Sequence, residues 1–506
     1  MKKTKEKEKK EKKQRPVKQP SLLVALLPIL FMCVFMGVGY VAMGLPSEPM
    51  MILTAVFAGI IAWWLGHSFN DMMSTIAEKI ASVMPAMLIL VTVGALIGSW
   101  MIGGTIPMLV YFGLKIVSPK FLYITALLVT AIVSVCTGTS WGSMGTVGVA
   151  FMGVAMGMDG VNPAIVAGAV VSGAYFGDKL SPLSGDTNLA AAITRVDLFK
   201  HMGHLLWTTL PSLIVAFIVM LVVGLKVNSP SGAITKVVQI NNALSSAFHW
   251  NVVMLLIPVL IILIGSMWRK PTIPVMLLST AFAMFNAVVI QKFSVLNAFN
   301  AVVSGFSTDM LGKGFHPGKA AADVSNLLNR GGMNSMMSTL LIAFCALSFA
   351  GVLSCSGALN AIVNSLLKIA NSTGSLIVVT LITGILTIAT TCNGQVSLVL
   401  PGELLRPAYI KRGLHPDNLS RSIEDSGTIF EPILPWTAAG AYVTATLGIP
   451  TLQYAPWATL CWTGVIFATI WGFTGIGIDK LSDEEQKKLL AELDEEDARA
   501  AASAED

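Results

Sequence analysis

An all-α polytopic membrane protein with two inverted-topology repeats, each holding a re-entrant hairpin and a broken helix, is the fold this sequence predicts. Three observations predict it. The chain is apolar with its charge pushed to the ends, its polar punctuation repeats, and its loop charges alternate between the repeats.

Hydrophobic residues make up 54% of the 506 and charged residues 12%, with a mean hydropathy of +0.73. A soluble domain carries about 25% charged residues. Residues 1–20 hold ten Lys/Arg and three Glu, and residues 479–506 hold four basic and eleven acidic residues, so little charge is left between them. Such a chain cannot cover a water-facing surface, whereas lipid-facing helices want this composition. The net charge of +5 comes mainly from the Lys-rich start and gives no ground for nucleic-acid binding. Residues 1–20 read as a disordered basic tail, and their position beside the first span places it in the cytoplasm; its charge reads first as a topology determinant, with contact to anionic membrane lipid the weaker reading. The apolar run from Ser21 to Met43 is too long for a cleavable signal and reads as a span. Residues 479–506 read as an acidic cytoplasmic tail forming a charged helix. The six cysteines, at 33, 136, 345, 355, 392 and 461, lack metal-ligand spacing and read as small buried residues.

The repeat is clearest at its polar positions. Cys136-Thr137-Gly138 recurs as Cys392-Asn393-Gly394, and Gly157 to Asn162 as Gly413 to Asn418; Ser172-Gly173 and Phe176 return as Ser426-Gly427 and Phe430. Upstream, Gly98, Gly104 and Leu114-Lys115-Ile116 answer Gly351, Gly357 and Leu367-Lys368-Ile369. The repeats so defined span 21–226 and 250–478, with 227–249 as a linker. Loop charge sets their orientation. Leu45 to Pro49 has Glu48 and no base, while its counterpart has Arg269 and Lys270; Gly157 to Pro163 has only Asp159, while Arg406 to Arg421 has four bases. Arg195 to His204 is basic, while Gly448 to Pro456 is uncharged. With Lys/Arg loops held in the cytoplasm, the halves run in opposite directions and both termini are cytoplasmic. Apolar runs at 21–45, 50–66, 83–117 (broken), 121–157, 163–192 and 205–226 supply the spans of the first half.

Two runs are interrupted by polar residues. One holds Gly177 to Asn188, partnered by Phe430 to Thr437; the other holds Thr137 to Gly142, partnered by Thr390 to Gln395, and reads as a hairpin tip. Irregular backbone at membrane depth persists only where protein or a wet cavity satisfies its polar groups, so matched breaks point to a midplane site. Their oxygens suit a hard cation such as Na⁺. Thr139, Ser140, Ser181, Ser184, Thr187, Asn188, Thr391, Asn393 and Thr437 are the candidate binding residues, with Na⁺ at some of Thr139, Asp178, Asn188 and Asn393. Asp178, Asp186 and Glu431 are the candidate proton and cation coupling groups, with Lys179 as charge partner. Glu424 and Asp425 read as residues of the cytoplasmic end, Asp417 as interfacial, and Trp141 and Trp436 as packing groups. No histidine is expected inside a span.

At these residues a resemblance enters. Tyr175 to Ser184 with Thr187 to Ala190, Thr137 to Gly142, and Ser426 to Trp436 resemble the signature of NhaC-type Na⁺/H⁺ antiporters. The resemblance runs from about 20 to 475. It implies an ion-transporter-like fold with two hairpins and two broken helices, elevator motion, a homodimer, and Na⁺/H⁺ exchange with no cofactor beyond the transported ions. One departure stands out: the family pattern has an acid directly after the second Ser, where this chain has Gly185, the acid following as Asp186.

Three other readings compete. The same scaffold serves exchangers of small organic anions, such as malate and lactate, or of amino acids coupled to Na⁺ or H⁺; such a cargo wants a base, and Lys179 is the central one. A membrane aspartyl protease needs a glycine where Tyr175 stands, and the chain has no HExxH pattern, so enzymatic function is not expected. A channel fits paired broken helices less well than alternating access does. Opposed loop charge makes a direct prediction: a reporter fused after Gly413 will report cytoplasm and one after Gly157 the exterior, and finding both on one side would end the inverted-repeat reading.

Overall fold

The computed structural model describes residues 17–227, 233–268, 270–312 and 321–505. The disorder expected of the basic tail, and the charge of Arg269, fall outside the described residues. The described residues form helices, with one isolated bridge, Leu414 to Lys480, as their extended pairing.

The first half runs α1 (Leu22–Phe35, continued as a π segment Met36–Ala42), α2 (Ser47–Trp64), α3 (Phe69–Ile102), α4 (Thr105–Ile116) and α5 (Leu122–Thr137). Then come α6, built from consecutive segments Ser140–Ser143, Met144–Gly148 and Val149–Met156, followed by α7 (Pro163–Lys179), α8 (Gly185–Thr194) and α9 (Leu198–Leu225). After α10 (Ala233–Ala247) the second half gives α11 (Val252–Met267), α12 (Thr272–Val289), α13 (Val295–Ser304), α14 (Ala321–Leu328), α15 (Met337–Cys355), α16 (Ala358–Leu367) and α17 (Thr373–Thr391). It ends with α18 (Gly394–Lys411), α19 (Pro416–Ser426), α20 (Ala438–Leu447), α21 (Thr459–Thr474) and the tail helix α22 (Asp483–Glu505). Among the described residues, eight helices are long and apolar enough to cross a bilayer, or ten counting two bent pairs. Ile52, Val56, Ile60 and Trp64 on α2 point outward, as do Leu23, Leu27, Leu30 and Val34 on α1. Apolar stripes of this kind are what lipid contact requires.

Caps recur in the expected order. Gly104 starts α4 and Gly357 starts α16, both left-handed, at φ 85° and 68°. Gly138 ends α5 and Cys392 ends α17, again left-handed. Thr139 and Asn393 then cap α6 and α18 through their side-chain oxygens, and Ser184 and Thr437 cap α8 and α20 in the same way. Packing recurs too: α3 lies on α12 and α15 on α2, while α5 pairs with α7 and α17 with α19. This is consistent with two related halves. α5 and α7 meet at backbone distance, because a Cβ on Gly173 would stand 2.2 Å from the Leu127 carbonyl oxygen and one on Gly177 2.4 Å from that of Ala131.

Several expectations need correction. α3 begins at Phe69, not near 83, because Ser68 and Asp71 form a reciprocal capping box that starts the helix early. At about 51 Å, α3 exceeds the ~30 Å hydrocarbon core. The 227–249 linker contains α10, which bends by 95° into α11. His201 and His204 lie within α9 and are buried, since that helix starts at its Asp197 cap. Cys33 and Cys136 are exposed, facing outward from apolar helices, while Cys345, Cys392 and Cys461 are buried. The acidic tail is helical, as expected, and Leu481 N–H donates to the Gly413 carbonyl while Gln486 Nε2 donates to that of Ile410.

Overpacking of this kind costs ~1–3 kcal/mol. Gly173→Ala should therefore lower the melting temperature of the detergent-solubilised protein by several degrees, and an unchanged melt would mean that α5 and α7 separate freely.

Candidate functional site: a carboxylate-lined cavity

A cavity of about 300 Å³ opens where the four helix breaks converge. Its wall takes Ser82, Pro85, Ala86 and Ile89 from α3, Gly138 to Trp141 from the first tip, and Asn393 to Gln395 from the second. Asp178, Gly185, Asp186 and Glu431 complete its polar side. On α3, Ser82 and Pro85 are exposed and Ile89 half-buried, whereas Val93, Leu96 and Trp100 further along are buried. The mouth thus lies toward the N-terminal half of α3. The other end is sealed by Trp141 stacked on Tyr442, centroids 4.2 Å apart, with the Tyr442 hydroxyl donating to the Trp141 carbonyl at 2.6 Å. Trp436 packs as expected, its ring N–H bonded to the Ala389 carbonyl.

Asp178 ends α7, about 22 Å along the helix from Pro163. A carboxylate at a helix C-terminus faces the negative end of that dipole. The start of α6 offsets this: Ser140 donates to Asp178 Oδ2 through its backbone N–H at 3.1 Å and its hydroxyl at 2.7 Å. Hydrogen bonds to a charged group contribute about 1.5–3 kcal/mol each. Glu431 stands in the matching place of the second half. Its Oε1 accepts from Ala439 N–H at 3.3 Å, and its Oε2 comes so close to the start of α18 that a Cβ on Gly394 would lie 2.8 Å away. Each break therefore sets a carboxylate against the N-terminus of the helix beyond the tip of its own half.

The cavity gathers Thr139, Ser140, Asp178, Asp186, Asn393 and Glu431 from the expected set. Thr139 and Asn393 each use one lone pair as caps, accepting from Gly142 and Val396 N–H. Ser184 and Thr187 line a smaller inner void instead. Ser181, Asn188, Thr391 and Thr437 line neither. Their polar atoms brace the breaks: Ser181 donates to the Val135 carbonyl, Asn188 to those of Pro182 and Ser184, Thr391 to that of Thr387, and Thr437 to that of Glu431. Lys179 is not the partner of Asp178. Its ammonium pairs with Asp425, which also accepts from Thr208 at 3.1 Å. Asp425, Glu424 and Asp417 are fully buried where solvated residues were expected, because α19 is enclosed on every side. Tyr175, Gln395 and Ser82 line the cavity and are absent from the expected set.

The lining has three carboxylates, no Lys or Arg, and neither His nor Cys. An all-oxygen, net-negative donor set selects a hard cation.

Comparison with known proteins agrees. Residues 173–476, more than half the chain, match the model of the Na⁺/H⁺ antiporter family. The chain belongs to that family. It is 57% identical to an uncharacterized Na⁺/H⁺ antiporter of Haemophilus influenzae, over 92% of this chain and 98% of that one. It is 36% identical to the Na⁺/H⁺ antiporter NhaC of Alkalihalophilus pseudofirmus, over 86% and 91% of the two chains. It is also 34% identical, over the same shares, to the malate-2H⁺/Na⁺-lactate antiporter of Bacillus subtilis. The NhaC resemblance of the signature residues is thus part of a similarity that covers most of this antiporter-family protein.

Gly394→Ala must push the Glu431 carboxylate aside and should raise the half-saturating cation concentration several-fold at normal yield. Gly203→Ala on α9, where a Cβ meets nothing within 4 Å, should leave it unchanged; equal effects would remove Glu431 from the cation site.

Proposed function

We propose that the protein exchanges Na⁺ for H⁺ across the cytoplasmic membrane by alternating access. The carrying observation is the cavity lining, where three carboxylates, Glu431 buried and Asp178 and Asp186 half-buried, meet neutral oxygens and no base. Sodium would sit among Asp178, Glu431, Asn393 and Thr139, with Asp186 beside it. These carboxylates cannot all stay ionised in an apolar bundle without a cation, so either Na⁺ or protons must hold them. Exchange follows from that competition. The reading treats the protein as a transporter and not an enzyme, with no cofactor beyond its ions.

Orientation belongs to the same proposal. With basic loops inside, both termini are cytoplasmic, the repeats at 21–226 and 250–478 are inverted, and the N-terminal end of α3 is cytoplasmic. The cavity mouth then faces inward, and the Trp141–Tyr442 stack closes the outer side. The homodimer rests on family resemblance, and lipid contact by the basic tail on its charge. The malate and lactate cargo in the name of the Bacillus subtilis relative is the reading to test against. A carboxylate would find no base in this cavity and would have to bind through the Na⁺ itself.

The test uses proteoliposomes with an internal pH dye, pulsed with Na⁺, Li⁺, K⁺, malate, lactate or amino acids. Na⁺ alone should move protons. Asp178→Asn keeps shape and hydrogen bonding but cannot ionise, and should abolish that response in protein that still inserts. Should Asp178→Asn transport normally and Asp186→Asn fail, coupling rests on Asp186 without Asp178; a response that needs an organic solute would overturn Na⁺/H⁺ exchange.

A further inference from the structure

Behind the cation cavity lies a second polar compartment. Asp178, Asp186 and Tyr175 line both spaces, and the inner void adds Lys179, Ser184, Thr187, Glu424 and Thr428. It measures about 10 Å³, on the order of the smallest void that admits one water. The Tyr175 hydroxyl is buried without a partner, so such a water would find a donor and acceptor there as well as carboxylates.

On the far side of Glu424 stands His201, wholly buried on α9. Its Nδ1 lies 2.7 Å from Ser420 Oγ and its Nε2 3.4 Å from Glu424 Oε1. Ser420 and Glu424 are four residues apart on one face of α19, so the ring spans one helical turn. Ser420 gives its own hydrogen to the Asp417 carbonyl at 3.0 Å. Its oxygen therefore accepts from His201 Nδ1–H, and the hydrogen-bond network assigns the lone pair to Nε2, facing a carboxylate. Two bare acceptors buried face to face repel. A proton between them turns the contact into a charge-assisted hydrogen bond.

We propose that Glu424 and His201 form a second proton-holding site of the antiporter, linked to Asp186 through a single water in the inner void. This rests on the exchange reading above. When Na⁺ enters, the O–H bond of the Asp186 carboxyl breaks as that water takes the proton. The water passes one of its own to Glu424, and Glu424 passes it to His201 Nε2. No electrons are transferred, and the charge lost by one group is gained by the next. The other charged groups around the pair are Asp178 and Lys179 from α7, Asp425 and Arg421 from α19, and His204 from α9. Asp425 is held by Lys179, and Arg421 donates to the Gly477 carbonyl at 2.7 Å. Toward solvent lie Asp417 and His415, 2.9 Å apart, and the half-exposed Lys200, 3.7 Å from Asp417. The displaced proton would so be held between α9 and α19, away from the occupied cavity.

The full-length protein in proteoliposomes gives two fluxes to compare, Na⁺-driven proton movement and exchange of radiolabelled Na⁺ for Na⁺. In Glu424→Gln and His201→Gln the first should fall about 100-fold, the low end of what a positioned proton-transfer group contributes, while the second persists. If both fluxes fall together, Glu424 is a cation ligand or a folding residue; if neither falls, protons leave through the cavity. Either result overturns the proposal. Folding is scored by thermal melting. Should Glu424→Gln fail to fold, Glu424→Asp, which withdraws the carboxylate from His201 by one methylene, carries the same expectation. Wild-type protein that moves no Na⁺ would instead sink the exchange reading.

Discussion

The arrangement depends on the difficulty of keeping carboxylates charged away from water. Asp178, Asp186, Glu424, Asp425 and Glu431 are drawn into one region of a membrane bundle, with Lys179 as the lysine among them. Burying an uncompensated ion costs several kcal/mol. The surrounding structure is organised around that cost. Lys179 settles Asp425, Ser140 and the start of α6 support Asp178, and Ala439 supports Glu431. What remains has to be met by mobile cations, which is the property a cation exchanger needs.

The helix breaks are where this compensation comes from. An unbroken helix spends its N–H groups on itself. Interrupting α5–α6 and α17–α18 exposes two helix starts, and interrupting α7–α8 and α19–α20 delivers two carboxylates to them. Each half serves itself: Asp178 accepts from the Ser140 amide beyond the first tip, and Glu431 lies against the start of α18 beyond the second, while α3 on α12 and α15 on α2 fasten the halves together.

Much of this was legible in the sequence. Scarcity of charge gave the membrane class, and the recurrence of Cys136-Thr137-Gly138 as Cys392-Asn393-Gly394 gave both tips. Asp178, Asp186 and Glu431 stood out because acids are rare between the tails. The failures share one cause, which is that polarity does not report depth. α19 reads Pro-Asp-Asn-Leu-Ser-Arg-Ser-Ile-Glu-Asp-Ser, looks like a solvated end, and is buried at every position. His201 and His204 were lost with it, because their partners Ser420, Glu424 and Asp417 lie on that helix. Lys179 was matched to its neighbour Asp178, since sequence shows adjacency and cannot show that α7 turns the lysine toward α19. Ser181 and Asn188 have the chemistry of ligands but spend it on bracing the break, Ser181 on the Val135 carbonyl of α5 and Asn188 on its own loop, a distinction only geometry makes.

The tail helix has a mechanical consequence. α18 starts at the cavity with Asn393 and runs unbroken for 18 residues to Lys411, about 27 Å, and the turn beyond it is held by Leu481 and Gln486 at the head of α22. A load hung on the C-terminus pulls on a rod whose other end lines the cavity. Purification handles and fluorescent fusions belong at the N-terminus of this protein, and a binder raised against the tail would act as a lever on the cavity.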